Sequence, residues 1–257
     1  VMPCAITLGT WLALAPNSDN VIRFKSVNFP ESAEIPLEKA YTKTGEEWYN
    51  YPLGVFHEIL KENEINQGFD LLFYGNIPIG SGLSSSASIE VVMAYALNEY
   101  LKLELSPLQL VLLSKKVENE FIGVNSGVMD QFAVTFGAEN KAILLNCDTL
   151  KHRLVDCNLG NYVLAIINTN KPRKLSESKY NERVAACQTA LKQLNEVISL
   201  NNLCELTSSK FALHSHLLTN PTILSRATHV ISENDRVGLA EKALSEGNLK
   251  DFGLLMY

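Results

Sequence analysis

The sequence predicts an α+β fold in two parts, and three observations carry that expectation. Residues 23–29 alternate apolar and polar side chains as a half-buried strand does, and residues 68–74 read as another strand. Residues 85–102 repeat Ala87, Val91, Ala94, Tyr95, Asn98 and Leu101 with a helical period and add apolar residues on the flanks, which describes a largely buried helix. Between that strand and that helix lies "NIPIGSGLSSSAS", residues 76–88, a glycine-serine run that joins two core elements with no slack.

The other elements follow in order. Residues 4–14 are an apolar run read as a strand, and residues 35–38 suggest a short one. Trp48, Tyr51, Val55, Ile59 and Leu60 fall at helical spacing within residues 48–62 and mark one apolar face. A further helix is expected from Ser106, a suitable N-cap, through Pro107 at the first helical position to residue 121. Beyond the segment 123–137, residues 142–146 and 162–168 read as strands and residues 178–199 as a long amphipathic helix. Residues 203–257 read as helices broken near Asn220-Pro221 and Gly247. No repeat, charge block or flexible linker separates the halves, so the domains are placed at 1–160 and 161–257.

Composition narrows the function class. The chain has 257 residues, 46% hydrophobic and 19% charged, which is enough to bury a real core. A formal net charge of -6 gives no general attraction for nucleic acid or anionic lipid. Cys4, Cys147, Cys157, Cys187 and Cys204 are widely spaced without a CxxC pair, the pattern of reduced thiols in the cytoplasm. His214 and His216 form an HxH pair with no Cys or carboxylate cluster beside it, a poor metal site. Residues 1–15 resemble the apolar part and cleavage site of a secretory signal, but they lack a basic leader, and the strand reading is preferred. No other stretch offers the roughly 18 uninterrupted apolar residues of a membrane helix.

The glycine-serine run suits an anion. At a helix N-terminus the first amides lack internal partners and the dipole is positive, so phosphate is stabilised there. Gly80 and Gly82 let the backbone curl towards phosphate oxygens, while Ser84, Ser85 and Ser86 can cap the helix, donate to phosphate or reach a magnesium ion. Composition alone leaves a plain structural turn equally open, and no GK[ST] makes this a Walker A loop.

Three stretches carry a resemblance to a known family. "PIGSGLSSSAS" is similar to the second signature of the GHMP small-molecule kinases, in the form found in the galactokinase branch. "ENEFIGVNSGVMDQF", residues 118–132, resembles the segment of that branch that ends in GxMDQ. Residues 168–183, "NTNKPRKLSESKYNER", resemble the part that carries a sugar-contacting tyrosine. The resemblance implies an N-terminal domain similar to the ribosomal protein S5 second-domain fold, followed by an incomplete C-terminal α/β domain.

Carried over residue by residue, the resemblance places ATP phosphates on Gly80, Ser81, Gly82, Leu83, Ser84, Ser85 and Ser86, with Ser26 and Trp48 as further nucleotide contacts. It assigns Mg2+ to Ser86 and Glu118, the catalytic and sugar-contacting carboxylate to Asp130, and a sugar contact to Tyr180. The implied protein is a monomeric cytoplasmic kinase that phosphorylates the anomeric hydroxyl of α-D-galactose from MgATP. Each residue also has a plainer reading. Trp48 alone is more often a core ring, and Glu118 alone a solvated helix carboxylate. Asp130, set among apolar residues, calls for a partner or a task.

Two family features do not appear in the sequence. These are an N-terminal signature with an arginine and a GEHTDY-like run, and a GGGFGG-like segment near the C-terminus. The sequence is thus expected to be an internal fragment, with exposed sheet edges and little activity on its own. The alternatives are a kinase for N-acetylgalactosamine or arabinose, and a catalytically silent sensor of sugar and ATP.

Overall fold

A computed structural model of the chain describes residues 1–78, 80–168 and 178–256. Contacts divide it into two compact units, one built on Cys4–Gly137 and the other on Val1–Pro3, Ala138–Ala165 and the C-terminal helices.

The first unit is a four-stranded sheet with helices on one face. Its strands are β1 (Thr10–Asn17), β2 (Val21–Ser26), β3 (Ala33–Pro36) and β4 (Gly68–Gly75), in the spatial order β1-β4-β2-β3. β1 and β4 run antiparallel, with Trp11 opposite Tyr74, whereas β2 runs parallel to β4. Alternation along β4 buries Phe69, Leu71 and Phe73 and turns Asp70, Leu72 and Tyr74 outward. Helices α1 (Asn50–Leu60) and α2 (Ser85–Leu101) contribute Leu53, Phe56, Met93 and Leu97 to the same core, which Ile22, Phe24 and Trp48 complete. On the outer face Arg23 pairs with Asp19, Glu34 and Asp70, the charged cover expected of a solvated sheet face.

Capping decides where the next helices begin. Helix α3 (Pro107–Lys116) starts with a complete capping box, in which the Ser106 hydroxyl accepts from Gln109 N and Gln109 Oε1 accepts from Ser106 N, and with Pro107 in the first turn. The helix then widens into a π-helical turn, Val117–Ile122, before the loop that leads to α4 (Met129–Phe136). Glu58 of α1 fastens this part by accepting from Lys61 and from Lys116, the latter at 2.9 Å. Gly54 permits the close approach: a Cβ there would lie 2.6 Å from Val117 Cγ1 and 2.9 Å from Phe121.

The second unit begins with a hairpin of β5 (Lys141–Leu145) and β6 (His152–Asp156), in register from Lys141 opposite Asp156 to Leu145 opposite His152. The first residues of the chain run along its free edge, where Ile143 N donates to Pro3 O and Leu145 N to Val1 O. Helices α5 (Ser178–Leu194), α6 (Ser208–Ala212), α7 (Pro221–Ser245) and α8 (Leu249–Leu254) follow. Ala190, Leu194, Leu203, Phe211, Leu218, Ala227 and Ile231 form their core. Asn220 caps α7 by accepting from Thr222 N and Ile223 N, and Gly247 follows that helix with a φ of 68°, so both expected breaks fall where they were read. Among the described residues no helix is long and apolar enough to cross a membrane.

Four expectations need correction. The first strand covers Thr10–Asn17 rather than 4–14, because its ladder partner β4 ends at Gly75, opposite Thr10. Residues 162–168 form no strand. Their apolar side chains, Val163 and Ile167 above all, are exposed, and an apolar run without a partner strand among the described residues makes no ladder. Helix α5 stops at Leu194 rather than 199, since the Asn195 side chain turns the chain by bonding both N and O of Leu200. Finally, α4 and β6 occupy segments for which the sequence suggested no element.

Candidate active site

Two backbone features shape the glycine-serine loop. The end of β4 is held first: Asn28 donates to Gly75 O and accepts from Gly75 N, at 2.8 and 2.7 Å, and Asn76 bonds Gly9 through both backbone and side chain. Gly80, Gly82 and Ser84 then take positive φ angles of 69°, 76° and 59°. That conformation is costly for a serine and recurs where a backbone must present its amides. Ser84 is the N-cap of α2, yet its side chain makes no capping hydrogen bond, so among the described residues the first-turn amides have no side-chain acceptor. Ser81 folds back and donates to Pro78 O, while Ser88 donates to Thr10 of β1 and docks the helix on the sheet. Leu83 and Ser85 sit in the same curl; Ile79 lies outside the described residues.

Ser86, in the first turn of α2, points into the protein. Its hydroxyl donates to Oε1 of Glu118 at 2.8 Å, and both residues are buried. Glu118 belongs to the π-helical turn, a distortion that often re-aims a functional side chain. Its second oxygen accepts from Ser126 in the following loop and from Nε2 of Gln131 in α4, at 3.0 Å for the latter. One carboxylate therefore joins the loop helix, the π-turn and α4. Tyr51 of α1 lies near it, and burial followed by the negative charges of Glu118 and Glu90 pushes its phenol up to about 12.

Asp130 precedes Gln131 in the first turn of α4, where a carboxylate suits the helix dipole. Gln131 and Phe132 turn inward, and Asp130 stays partly exposed. Among the described residues it has no hydrogen-bond or ion-pair partner, which leaves its oxygens available to a ligand.

Ser86 and Glu118 thus meet, and Gln131, which follows Asp130 in α4, joins them. Ser26 and Trp48 each have protein partners. The Ser26 hydroxyl accepts from Asn28 N and Phe29 N in the turn after β2. Trp48 is 9% exposed, stacks on Phe29 and donates from Nε1 to Glu31 O. Tyr180 lies on α5 of the second unit, where it is exposed; most of the segment before it, residues 169–177, lies outside the described residues.

The donors present fit Mg2+. A buried hydroxyl and a buried carboxylate in contact are hard oxygen ligands, and Mg2+ is commonly held by one or two such groups together with phosphate and water. Among the described residues no group of three or more His, Cys, Asp or Glu could hold a metal by itself.

Sequence reading missed Glu90, Ser126 and Gln131. Glu90 did carry a signal, being the one carboxylate between Ser85 and Asn98 on a helix read as largely buried.

Comparison with known proteins identifies the family. The model of the GHMP kinases N terminal domain matches residues 50–138, a span that includes the loop, Glu118 and Asp130. Galactokinase of Enterococcus faecalis is 46% identical over 259 residues, covering 100% of this chain and 67% of the relative. Galactokinase of Clostridium tetani is 45% identical, covering 100% of this chain and 66% of that one. The crystal structure of Lactococcus lactis galactokinase complexed with galactose superposes with a TM-score of 0.94 at 42% identity, covering 99% of this chain and 66% of that one. The chain spans about two-thirds of the length of these relatives. They do not favour the related-sugar kinase or the silent sensor. With the GHMP kinase fold and relatives of this similarity along its whole length, the chain belongs to the galactokinase family of ATP-dependent sugar kinases.

Proposed function

We propose that the protein transfers the γ-phosphate of ATP to the anomeric hydroxyl of α-D-galactose, giving galactose 1-phosphate and ADP, in the cytoplasm and as a monomer. The observation that carries the reading is the contact between Ser86 and Glu118, which ties a phosphate-binding helix start to the helix bearing Asp130.

In this reading Gly80, Ser81, Gly82, Leu83, Ser84, Ser85 and Ser86 cradle the phosphates through backbone amides and hydroxyls. Ser86 and Glu118 hold Mg2+, which when bound neutralises charge on the β- and γ-phosphates. Ser26 and Trp48 complete the nucleotide contacts, and Tyr180 contacts the sugar. Asp130 faces the anomeric hydroxyl and takes or orients its proton as the sugar oxygen bonds to phosphorus and the bond to ADP breaks. Residues 1–160 and 161–257 correspond to the nucleotide-binding domain and to part of the second domain.

A panel of sugars with ADP release as the readout tests the substrate. Galactose is expected to turn over fastest. Faster turnover of N-acetylgalactosamine or arabinose overturns the substrate, and nucleotide binding without turnover of any sugar overturns the enzyme.

A further inference from the structure

His57 lies half-buried on α1, away from the phosphate loop and its carboxylate. Its Nδ1 accepts a hydrogen bond from Tyr41 N at 3.1 Å. A backbone amide can only donate, so Nδ1 carries no proton here and the neutral ring keeps its proton on Nε2. The ring also packs on Phe121 of the π-turn, with centroids 5.4 Å apart.

Tyr41 sits in the middle of residues 37–44, the segment that leaves β3 on the way to α1. Leu37 N donates to Asn20 O at one end, and Asn50 brackets the other by bonding both N and O of Thr44. Between those ends Tyr41 is buried, and its hydroxyl accepts from Glu38 N and donates to Pro36 O. Its amide is what grips α1, through His57. Ala40, Tyr41, Thr42 and Thr44 of this segment line a cavity of about 470 Å3 together with Ile35 of β3 and Leu53 of α1. Protonation of the ring would set an N–H at Nδ1 against the N–H of Tyr41. Two donors cannot bond, so the charged ring loses the amide.

We propose that His57 is a proton-operated latch: the neutral ring fastens Tyr41, and with it the segment 37–44, to α1, and the protonated ring releases the segment and opens the cavity. The charged groups that bear on the ring are Lys61 and Glu58 of its own helix and Lys116 of α3. From the π-turn it meets Phe121, while Glu120 there is paired with Lys116; on the segment, Lys43 is paired with Glu46. Burial first and the Lys61 charge second hold the ring below its ordinary value of 6.5, with Glu58 opposing them and Lys116 adding to them. A depressed folded-state value means that the unfolded chain takes the proton more readily. The latch therefore contributes above the ordinary histidine value and is lost as pH falls through the depressed one.

Amide hydrogen exchange between about pH 7.5 and about pH 5 tests the latch. The Glu58 carboxyl, held below 4.5, stays ionised in that window. Corrected for the intrinsic pH dependence of exchange, protection of the Tyr41 and Glu38 amides should fall together by about tenfold at the acid end. Constant protection overturns the latch, and a fall at Tyr41 alone overturns the release, since the ring would then swing out and leave the segment in place. His57→Asn puts an acceptor oxygen near the place of Nδ1 and takes up no proton, so both amides should stay protected at either pH, whereas His57→Phe should leave both unprotected throughout. A pH dependence that survives in His57→Asn, or full protection in His57→Phe, overturns the proposal. Nitrogen-15 resonances of the wild-type His57 ring decide the matter without any variant: a neutral ring with its proton on Nδ1 overturns it as well.

Discussion

The Ser86 hydroxyl donates to Glu118 Oε1 at 2.8 Å across 32 positions of sequence, and both residues are buried. Neither is placed by its own propensity. Ser86 faces inward because α2 begins at Ser84 in a left-handed conformation, and Glu118 faces Ser86 because α3 widens into a π-turn.

The pair should act on metal rather than on sugar. Ser86→Ala and Glu118→Gln are each expected to raise the Mg2+ concentration needed for half-maximal rate, by roughly tenfold or more, with KM for galactose nearly unchanged. Initial rates over a magnesium series check this. A change confined to the galactose KM would remove both residues from the metal.

Asp130 is expected to behave differently. Asp130→Asn should leave MgATP affinity nearly unchanged and lower kcat at least about a hundredfold, the low end of what a positioned acid-base group contributes. Nucleotide titration and steady-state kinetics separate the two quantities, and an unchanged kcat would reduce Asp130 to a structural carboxylate.

Gly54 tests the packing under the π-turn. A Cβ at this position meets Val117 Cγ1 at 2.6 Å and Phe121 at 2.9 Å, so Gly54→Ala must displace the turn or α1. Overpacking of this kind costs about 1–3 kcal/mol, to be read from denaturant unfolding. A variant as stable as the wild type would show that the contact yields freely.

Glu58 gives stability a dependence on acid. Burial pushes its carboxyl up, but the hydrogen bonds from Lys61 and Lys116 outweigh that and leave it below its ordinary value of 4.5. A depressed folded-state value means that the unfolded chain binds the proton more readily. The contribution is present above the ordinary carboxylate value and is lost as pH falls through the depressed one. Glu58→Gln should therefore flatten the loss of stability on acidification, as followed by melting temperature against pH.

How much of this could be read in advance depends on where the information lies. Strand β4, helix α2 and the start of α3 were legible because alternation, helical period and the Ser106-Pro107 cap are local signals. Helix α4 was not, since its eight residues are too short to show a period, and β6 is mostly exposed along its length and exists through its pairing with β5. The stretch 162–168 had the continuous apolar run of a buried strand, without a ladder among the described residues to join. At the site, the sequence pointed to Ser86, Glu118 and Asp130 through their motifs. Ser126 and Gln131 emerge only once the chain folds back and Glu118 needs further donors. Trp48 was singled out through the resemblance, and the stacking of its ring on Phe29 became visible only in the fold.

The π-turn also takes up an additional residue and leaves the chain after it in phase. In a regular α-helix each residue advances the chain by about 100° around the axis. A wider turn spends additional chain to complete the same revolution, and Gly123 N and Val124 N both close onto Glu118 O at its end. Removing one residue between Val117 and Ile122 would let the helix relax to regular pitch with the outgoing chain still in phase, but the widened turn that aims Glu118 would be gone. Ser126 and Gln131 would keep their places on the outgoing chain, while the carboxylate they reach would be turned away from them. The length of this turn is thus as much a part of the site as the identity of its residues, and substitutions within it should be borne far more easily than a deletion.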